Sequence, residues 1–269
     1  MRGLAYAKIN LTLEVTGKRP DGYHELVSIM QTISVADELS LSRASDLTLE
    51  CDQPELAGEA NLVLRAARLL GVGGHFELLK LIPAAAGLGG GSSDAALALR
   101  LLDTVHHLHL TPEQLLDAAA KLGSDVPFFL HGGTALIEGR GERVTPLADL
   151  PPHWLVLLNP GVPLSTADVF RELRREEYVT TAQGTSWNGP ELPPPVNTLE
   201  APAERLEPSI GRCRERLLSA SARPVLLSGS GPTVFGLVAD ELQAHHLASV
   251  AGGTAARFVG RAEALTLLD

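Results

Sequence analysis

Pro83-Ala84-Ala85-Ala86-Gly87-Leu88-Gly89-Gly90-Gly91-Ser92-Ser93 lies between a strand-like apolar run and an Ala/Leu-rich helical one. Glycines let backbone N–H groups approach an anion closely. A helix that starts directly behind them adds unpaired donors and the positive end of its dipole. Ser92 and Ser93 can cap that helix or donate hydroxyls to a phosphate. The segment predicts phosphate binding, yet it fits none of the common phosphate loops. A Walker A loop ends in Gly-Lys-Ser/Thr, whereas Gly91 runs straight into Ser92. A dinucleotide fingerprint needs a glycine where Ser92 stands and an acid about twenty residues on at a strand end. That later region is helical and rich in histidine. Protein-kinase signatures are absent.

Lys8 is the second candidate. Ile9, Leu11, Leu13 and Val15 alternate with Lys8, Asn10, Thr12 and Glu14, which predicts a half-buried strand over 8–15. Lys8 and Asn10 then share a face, with Cα atoms about 6.6–6.8 Å apart. Only 4 of the 22 basic residues are lysines. Lysine offers a compact charge on a flexible stem, so one beside an amide on a polar strand face is a candidate for chemistry. Taken alone it could equally be a solvated strand residue.

The elements that would hold these residues alternate throughout the chain. Strands are expected over 25–35, 39–41, 47–51, 75–82 and 154–158. A helix over 62–70 has Asn61 as N-cap and Gly71 as stop. Another runs over 92–106, and a third opens with the capping box Thr111-Pro112-Glu113-Gln114 and stops at Gly123. Leu150-Pro151-Pro152 reads as a linker. A helix starts near Ser165, and a Pro/Gly-rich loop over 178–195 is long enough to be functional or mobile. The pattern predicts mixed α and β structure in two domains, 1–150 and 151–269.

The 269 residues are 45% hydrophobic and 20% charged, ordinary for a globular protein with a real core. A net charge of -10 argues against a nucleic-acid partner, which needs a basic surface, although a local basic cleft stays open. Cys51 and Cys213 stand in no metal-ligand spacing and fit reduced thiols. No apolar run approaches the ~20 residues of a membrane span. Lys8, Asn10 and Glu14 interrupt the first apolar stretch, so no signal peptide is expected and the location is read as cytoplasmic.

The glycine segment resembles the second motif of the GHMP superfamily, the galactokinase, homoserine kinase, mevalonate kinase and phosphomevalonate kinase group. AKINLTLEVTG (7–17) resembles its first motif and LSGSGPTVFGL (227–237) its third. Within the superfamily, KRPDGYHE (18–25), LGSDVPFFL (122–130) and EGRGE (138–142) resemble the diphosphocytidyl-methylerythritol kinases. Ala84, Ala85 and Ala86 depart from the Met or Gly that relatives often carry, which stiffens the loop slightly.

The resemblance implies an α+β fold with a ribosomal protein S5 domain 2-like N-terminal domain and a ferredoxin-like C-terminal one. It implies an ATP-dependent transfer, with Mg2+, to the 2-hydroxyl of a cytidine-diphospho methylerythritol, giving the 2-phosphate in the non-mevalonate route to isoprenoids. Residues 83–93 would wrap the ATP phosphates, Lys8 and Asp125 would be catalytic, and no residue is assigned as a metal ligand. Alone, Asp125 could be a turn or helix cap behind Gly123. A carboxylate within reach of the attacking hydroxyl can take its proton, typically worth about 10²–10⁴-fold. A neighbouring ammonium favours that carboxylate and the developing alkoxide.

By the same resemblance Asn10, Tyr23 and His24 would contact the cytidine substrate, with the tyrosine ring stacking on the base. Thr166 and Phe170 would supply a polar contact and a second stacking wall, though Phe170 alone reads as helix core. The chain is expected to take a small molecule, to need no nucleic acid or membrane, and to be a monomer or weak homodimer. His106, His107 and His109 look metal-like but lack a carboxylate at suitable spacing. The alternatives are a homoserine- or mevalonate-type kinase, against which the Gly22-Tyr23-His24 turn argues, a nucleotide-binding regulator without catalysis, and an NAD-dependent oxidoreductase.

Overall fold

A computed structural model describes residues 1–187 and 189–268. Strand β1 (Arg2–Lys18) turns at 19–23 into β2 (His24–Ser42), and the two pair antiparallel along almost their whole length. The two strands expected over 25–35 and 39–41 are therefore one. β3 (Leu47–Cys51) runs parallel to β4 (Gly74–Leu79), and β4 pairs with the far half of β2. β5 (Thr134–Gly139) pairs with the near half of β2, and β6 (Arg143–Pro146) with β5.

Four helices pack on this sheet: α1 (Leu62–Leu70), α2 (Gly90–His106), α3 (Pro112–Leu122) and α4 (Val126–His131). Leu39, Leu41 and Phe76 from the strands meet Leu99, Leu101, Leu102 and Phe128 from the helices in one core. Asn61 caps α1 by accepting from Val63 N at 2.8 Å, and Gly71 ends it in the left-handed conformation. Thr111 and Gln114 form the expected reciprocal box on α3.

A second, antiparallel sheet has the order β11-β7-β10-β9, built from β7 (Trp154–Leu158), β9 (Val225–Leu227), β10 (Val234–Val238) and β11 (Thr254–Arg257). Helices α5 (Thr166–Glu172), α6 (Glu200–Leu206), α7 (Ser209–Ser219) and α8 (Glu241–Ala251) accompany it. β8 (Val196–Asn197) joins β1 in parallel. After α9 (Arg261–Ala264) the tail β12 (Leu267–Leu268) pairs with the start of β1, so the chain twice returns to the first sheet.

β1 is buried on both faces, not half-buried. Ile9 and Leu11 pack with Leu155, Leu157, Phe235 and Leu237 of the second sheet. The polar alternates Lys8, Asn10, Thr12 and Glu14 are between 0% and 3% exposed as well. Alternation says which residues share a face; here hydrogen-bonding backbone and side chains cover the polar one. Two boundaries also differ from the sequence pattern. β4 stops at Leu79 instead of reaching Ile82, because the N–H groups of Leu81 and Ile82 turn to the Asp37 carboxylate. α2 starts at Gly90 rather than Ser92, with Gly89 as a left-handed N-cap.

Candidate active site

Segments 7–17, 83–93 and 227–237 meet at Lys8. Its Nζ donates to Asn10 Oδ1 at 2.8 Å and to Gly87 O at 2.9 Å, and its backbone N–H donates to Leu88 O at 2.9 Å. Asn10 Nδ2 donates on to Ser28 Oγ at 2.8 Å. From the other side the 228–231 turn closes in: Ser228 Oγ donates to Gly87 O at 3.0 Å, and Thr233 N to Ala86 O at 3.3 Å. The glycines allow this approach. Gly87 has φ +77°, and a Cβ there would stand 2.3 Å from Ser228 O; at Gly229, φ +59°, it would stand 3.1 Å from Lys8 Nζ.

Burial pushes the Lys8 ammonium below its ordinary pKa, and the charge of Asp125 partly restores it. Asp125 stands at the N-cap position of α4 but its side chain makes no capping hydrogen bond. The carboxylate is therefore not spent on the helix. The short α4, with proline in its first turn, was not expected from the sequence, where Asp125 alone read as a turn or helix cap.

Lys8, Asn10, Gly87, Gly89 and Asp125 line a cavity of about 750 Å³ between the two sheets, and Tyr23, His24, Thr166 and Phe170 line the same cavity. His24 stacks on Phe170, with centroids 5.0 Å apart and planes at 25°. Its Nε2 lies 3.2 Å from Tyr178 Oη, whose ring meets it edge-on. Burial, then the nearby Lys18, lowers the His24 pKa, so the ring is neutral near pH 7. Tyr23 is 54% exposed, with the Arg140 guanidinium 5.2 Å from its ring centroid. Thr166 Oγ1 is 2.8 Å from Ser230 Oγ.

The remaining loop residues frame the cavity rather than line it. Ala86 and Leu88 are core residues, Ser93 is buried, Ser92 and Gly90 are half-buried, and Pro83, Ala84, Ala85 and Gly91 are exposed. Lys8, Lys18, Arg140 and Arg171 line the cavity against a single carboxylate, Asp125, among the described residues. A chain of net charge -10 thus carries a basic cleft, suited to a phosphate-bearing ligand.

Sequence reasoning missed Tyr178, Arg140 and Glu14. Tyr178 is one of only three tyrosines and opens the long loop, which was a usable signal. Arg140 stood inside EGRGE without a role. Glu14, 2% exposed, accepts from Gln183 N and Gly184 N, each at 2.9 Å, and so clips that loop to β1. His106, His107 and His109 are not in a metal-spaced group among the described residues. Among the described residues the grouping with metal-ligand spacing is Glu50, His75 and Glu77, on β3 and β4.

Family models for the GHMP kinases match twice, the N terminal domain over residues 61–133 and the C terminal domain over 170–253. The 4-diphosphocytidyl-2-C-methyl-D-erythritol kinase of Pelotomaculum thermopropionicum is 43% identical, over 91% of this chain and 92% of its own length. That of Geobacter metallireducens is 41% identical over 97% of both. The crystal structure of a 4-(cytidine 5'-diphospho)-2C-methyl-D-erythritol kinase superposes with a TM-score of 0.86 at 39% identity, covering 97% of this chain and 99% of that one. With two domain models over more than half its length and such relatives along nearly all of it, the chain belongs to the GHMP kinases and, within them, to the 4-diphosphocytidyl-2-C-methyl-D-erythritol kinase family.

Proposed function

We propose that this protein transfers the γ-phosphoryl group of ATP to the 2-hydroxyl of 4-diphosphocytidyl-2-C-methyl-D-erythritol, a step of the non-mevalonate route to isoprenoid precursors. The observation that carries the reading is the composition of one cavity. A glycine loop, a buried ammonium and a carboxylate free of capping duty share it with a cluster of aromatic rings, and four cations line it.

In this reading the 83–93 loop and the start of α2 hold the triphosphate through backbone N–H groups and the helix dipole. Asp125 takes the proton of the attacking hydroxyl as the new O–P bond forms, and ADP departs with the electrons of the broken one. Lys8, fixed by Asn10 and Gly87, lies where its charge steadies the developing alkoxide. Tyr23, His24, Phe170 and Tyr178 form the base pocket, and Lys18, Arg140 and Arg171 face the diphosphate. Residues 1–150 would contribute the phosphate loop and the catalytic pair, and 151–269 the 228–231 turn and the Phe170 wall.

Asp125 alone does not make a protein cage for a divalent ion. Mg2+ characteristically binds through one or two carboxylates plus substrate phosphates, so it fits here as an ion brought on ATP. Bound there, it neutralises charge on the transferring group. Two free and distant cysteines support a reducing, cytoplasmic setting.

The test is ADP release by the purified protein with ATP and Mg2+, offered the acceptor with and without its cytidine. Turnover confined to the cytidine-bearing acceptor is expected. Equal use of both would remove the assigned substrate while leaving a kinase.

A further inference from the structure

Lys80, Asp37 and Asp94 form a buried ionic cluster that the reaction above does not use. Their side chains are 4%, 0% and 4% exposed. Lys80 Nζ donates to Asp37 Oδ2 and, at 2.7 Å, to Asp94 Oδ2. Asp37 Oδ1 accepts from Leu81 N at 2.6 Å and Ile82 N at 2.8 Å. In sequence the cluster brackets the glycine loop. Positions 80–82 lead into Pro83, and Asp94 follows Ser93 at the exit. In space Asp37 stands behind it, since a Cβ on Gly90 would lie 3.3 Å from Asp37 Oδ2 and 3.0 Å from Ile82 Cγ2.

This placement has an electrostatic consequence. Two carboxylates against one ammonium leave a negative charge behind a loop that must hold a polyanion. The charged groups that face Asp94 are Lys80, from the end of β4, and Asp37, from β2. Burial, opposed by Lys80 and reinforced by Asp37, lifts the Asp94 carboxyl to about 7. Its Oδ1 is buried without a hydrogen-bond partner, a position that a neutral carboxyl tolerates better than a charged one.

We propose that Lys80 is a positioning residue for the ATP phosphate loop: it clasps the loop's entry to its exit and cancels carboxylate charge that would otherwise face the phosphates from behind. This rests on the glycine loop being the phosphate cradle, so Gly89→Val tests that reading separately. Affinity for a non-hydrolysable ATP analogue, measured by titration calorimetry, should be abolished by Gly89→Val. Unchanged affinity there would overturn the cradle itself.

Lys80→Met leaves two carboxylates facing each other. It should weaken the analogue at least about tenfold and raise KM for ATP, with KM for the acceptor unchanged, because an unpaired buried charge is costly. The double variant Lys80→Met/Asp94→Asn removes that excess charge and should recover most of the lost affinity. Asp94→Asn alone keeps the Lys80–Asp37 pair, so it serves even if Lys80→Met fails to fold. In the wild type KM for ATP should rise between pH 6 and 8 as Asp94 ionises, relative to Asp94→Asn, the titration of ATP itself being common to both. The proposal is overturned if a folded Lys80→Met keeps wild-type ATP affinity. It is overturned equally if the double variant gains nothing over the single one, or if the two pH profiles of KM for ATP coincide.

Discussion

Replacing Glu14 by glutamine should loosen the acceptor pocket without touching the chemistry. Glu14 Oε1 accepts from Gln183 N and Oε2 from Gly184 N, both at 2.9 Å. Val179 N donates to Val15 O at 3.0 Å, so the loop after Tyr178 is tied to β1 at two places before position 188. Tyr178 in turn braces His24. Glutamine keeps one acceptor and turns an amide NH2 toward the other backbone N–H. One charge-assisted hydrogen bond goes, typically worth about 1.5–3 kcal/mol. Falling on the local equilibrium between docked and undocked loop, that amounts to about 10- to 150-fold in the docked-to-undocked ratio, at 1.4 kcal/mol per factor of ten.

The expected result is a KM for the cytidine-bearing acceptor raised about tenfold or more, with kcat and KM for ATP within about twofold. Trp187 gives an independent reading of the loop. It is one of two tryptophans in the chain and is held by Nε1 donating to Glu191 O at 2.8 Å. In a Trp154→Phe background its emission should shift to the red when Glu14→Gln releases the loop. A red shift with the acceptor KM unchanged would show that the loop moves and the pocket does not depend on it, which refutes the reasoning.

Asp125→Asn should lower turnover by about 10²-fold or more while ATP affinity and thermal midpoint hold, since the side chain caps nothing. Turnover within about threefold of wild type would remove it as the base. Lys8→Ala should act mainly on kcat, and an effect confined to KM for ATP would make Lys8 a phosphate ligand instead. Because burial lowers the Lys8 pKa and activity needs its charge, kcat should fall as pH rises through a value below 10.5. Lys8→Arg should move that limb upward in whatever activity remains, and an unmoved limb would assign the titration to another group. Tyr23→Ala should weaken the cytidine-bearing acceptor by roughly 1–3 kcal/mol, the worth of one aromatic–base stack, and Tyr23→Phe should cost little. A fall in ATP affinity in either variant would put Tyr23 in the wrong pocket.

Features set by neighbours along the chain could be read in advance. The period of two put Lys8 and Asn10 on one face of β1, Asn61 and Gly71 delimited α1, and Thr111 with Gln114 opened α3. Features set by distant partners could not. The sequence pattern gave separate strands over 25–35 and 39–41, with Asp37 between them, where the structure has one. The strand continues because Lys80, 43 residues on, and the amides of Leu81 and Ile82 satisfy that carboxylate. Tyr178 meets His24 across 154 residues and Glu14 meets Gly184 across 170. No periodicity spans such separations, so the Tyr178–His24 contact and the Glu14 clip emerged only from the fold.

One compositional signal did reach across the chain. Arginine supplies 18 of the 22 basic residues, and the four lysines are Lys8, Lys18, Lys80 and Lys121. Lys8 is buried at 3% exposure and Lys80 at 7%, Lys18 lines the cavity, and only Lys121 sits on an ordinary surface. An ammonium is a compact point charge that can bond in three directions, whereas a planar guanidinium needs room for its fork. Lys8 must reach Asn10 and Gly87 within one small polar chamber, and Lys80 must bridge two carboxylates inside the core. Two of the four positions that keep lysine in this arginine-rich chain are thus buried sites for one small cation.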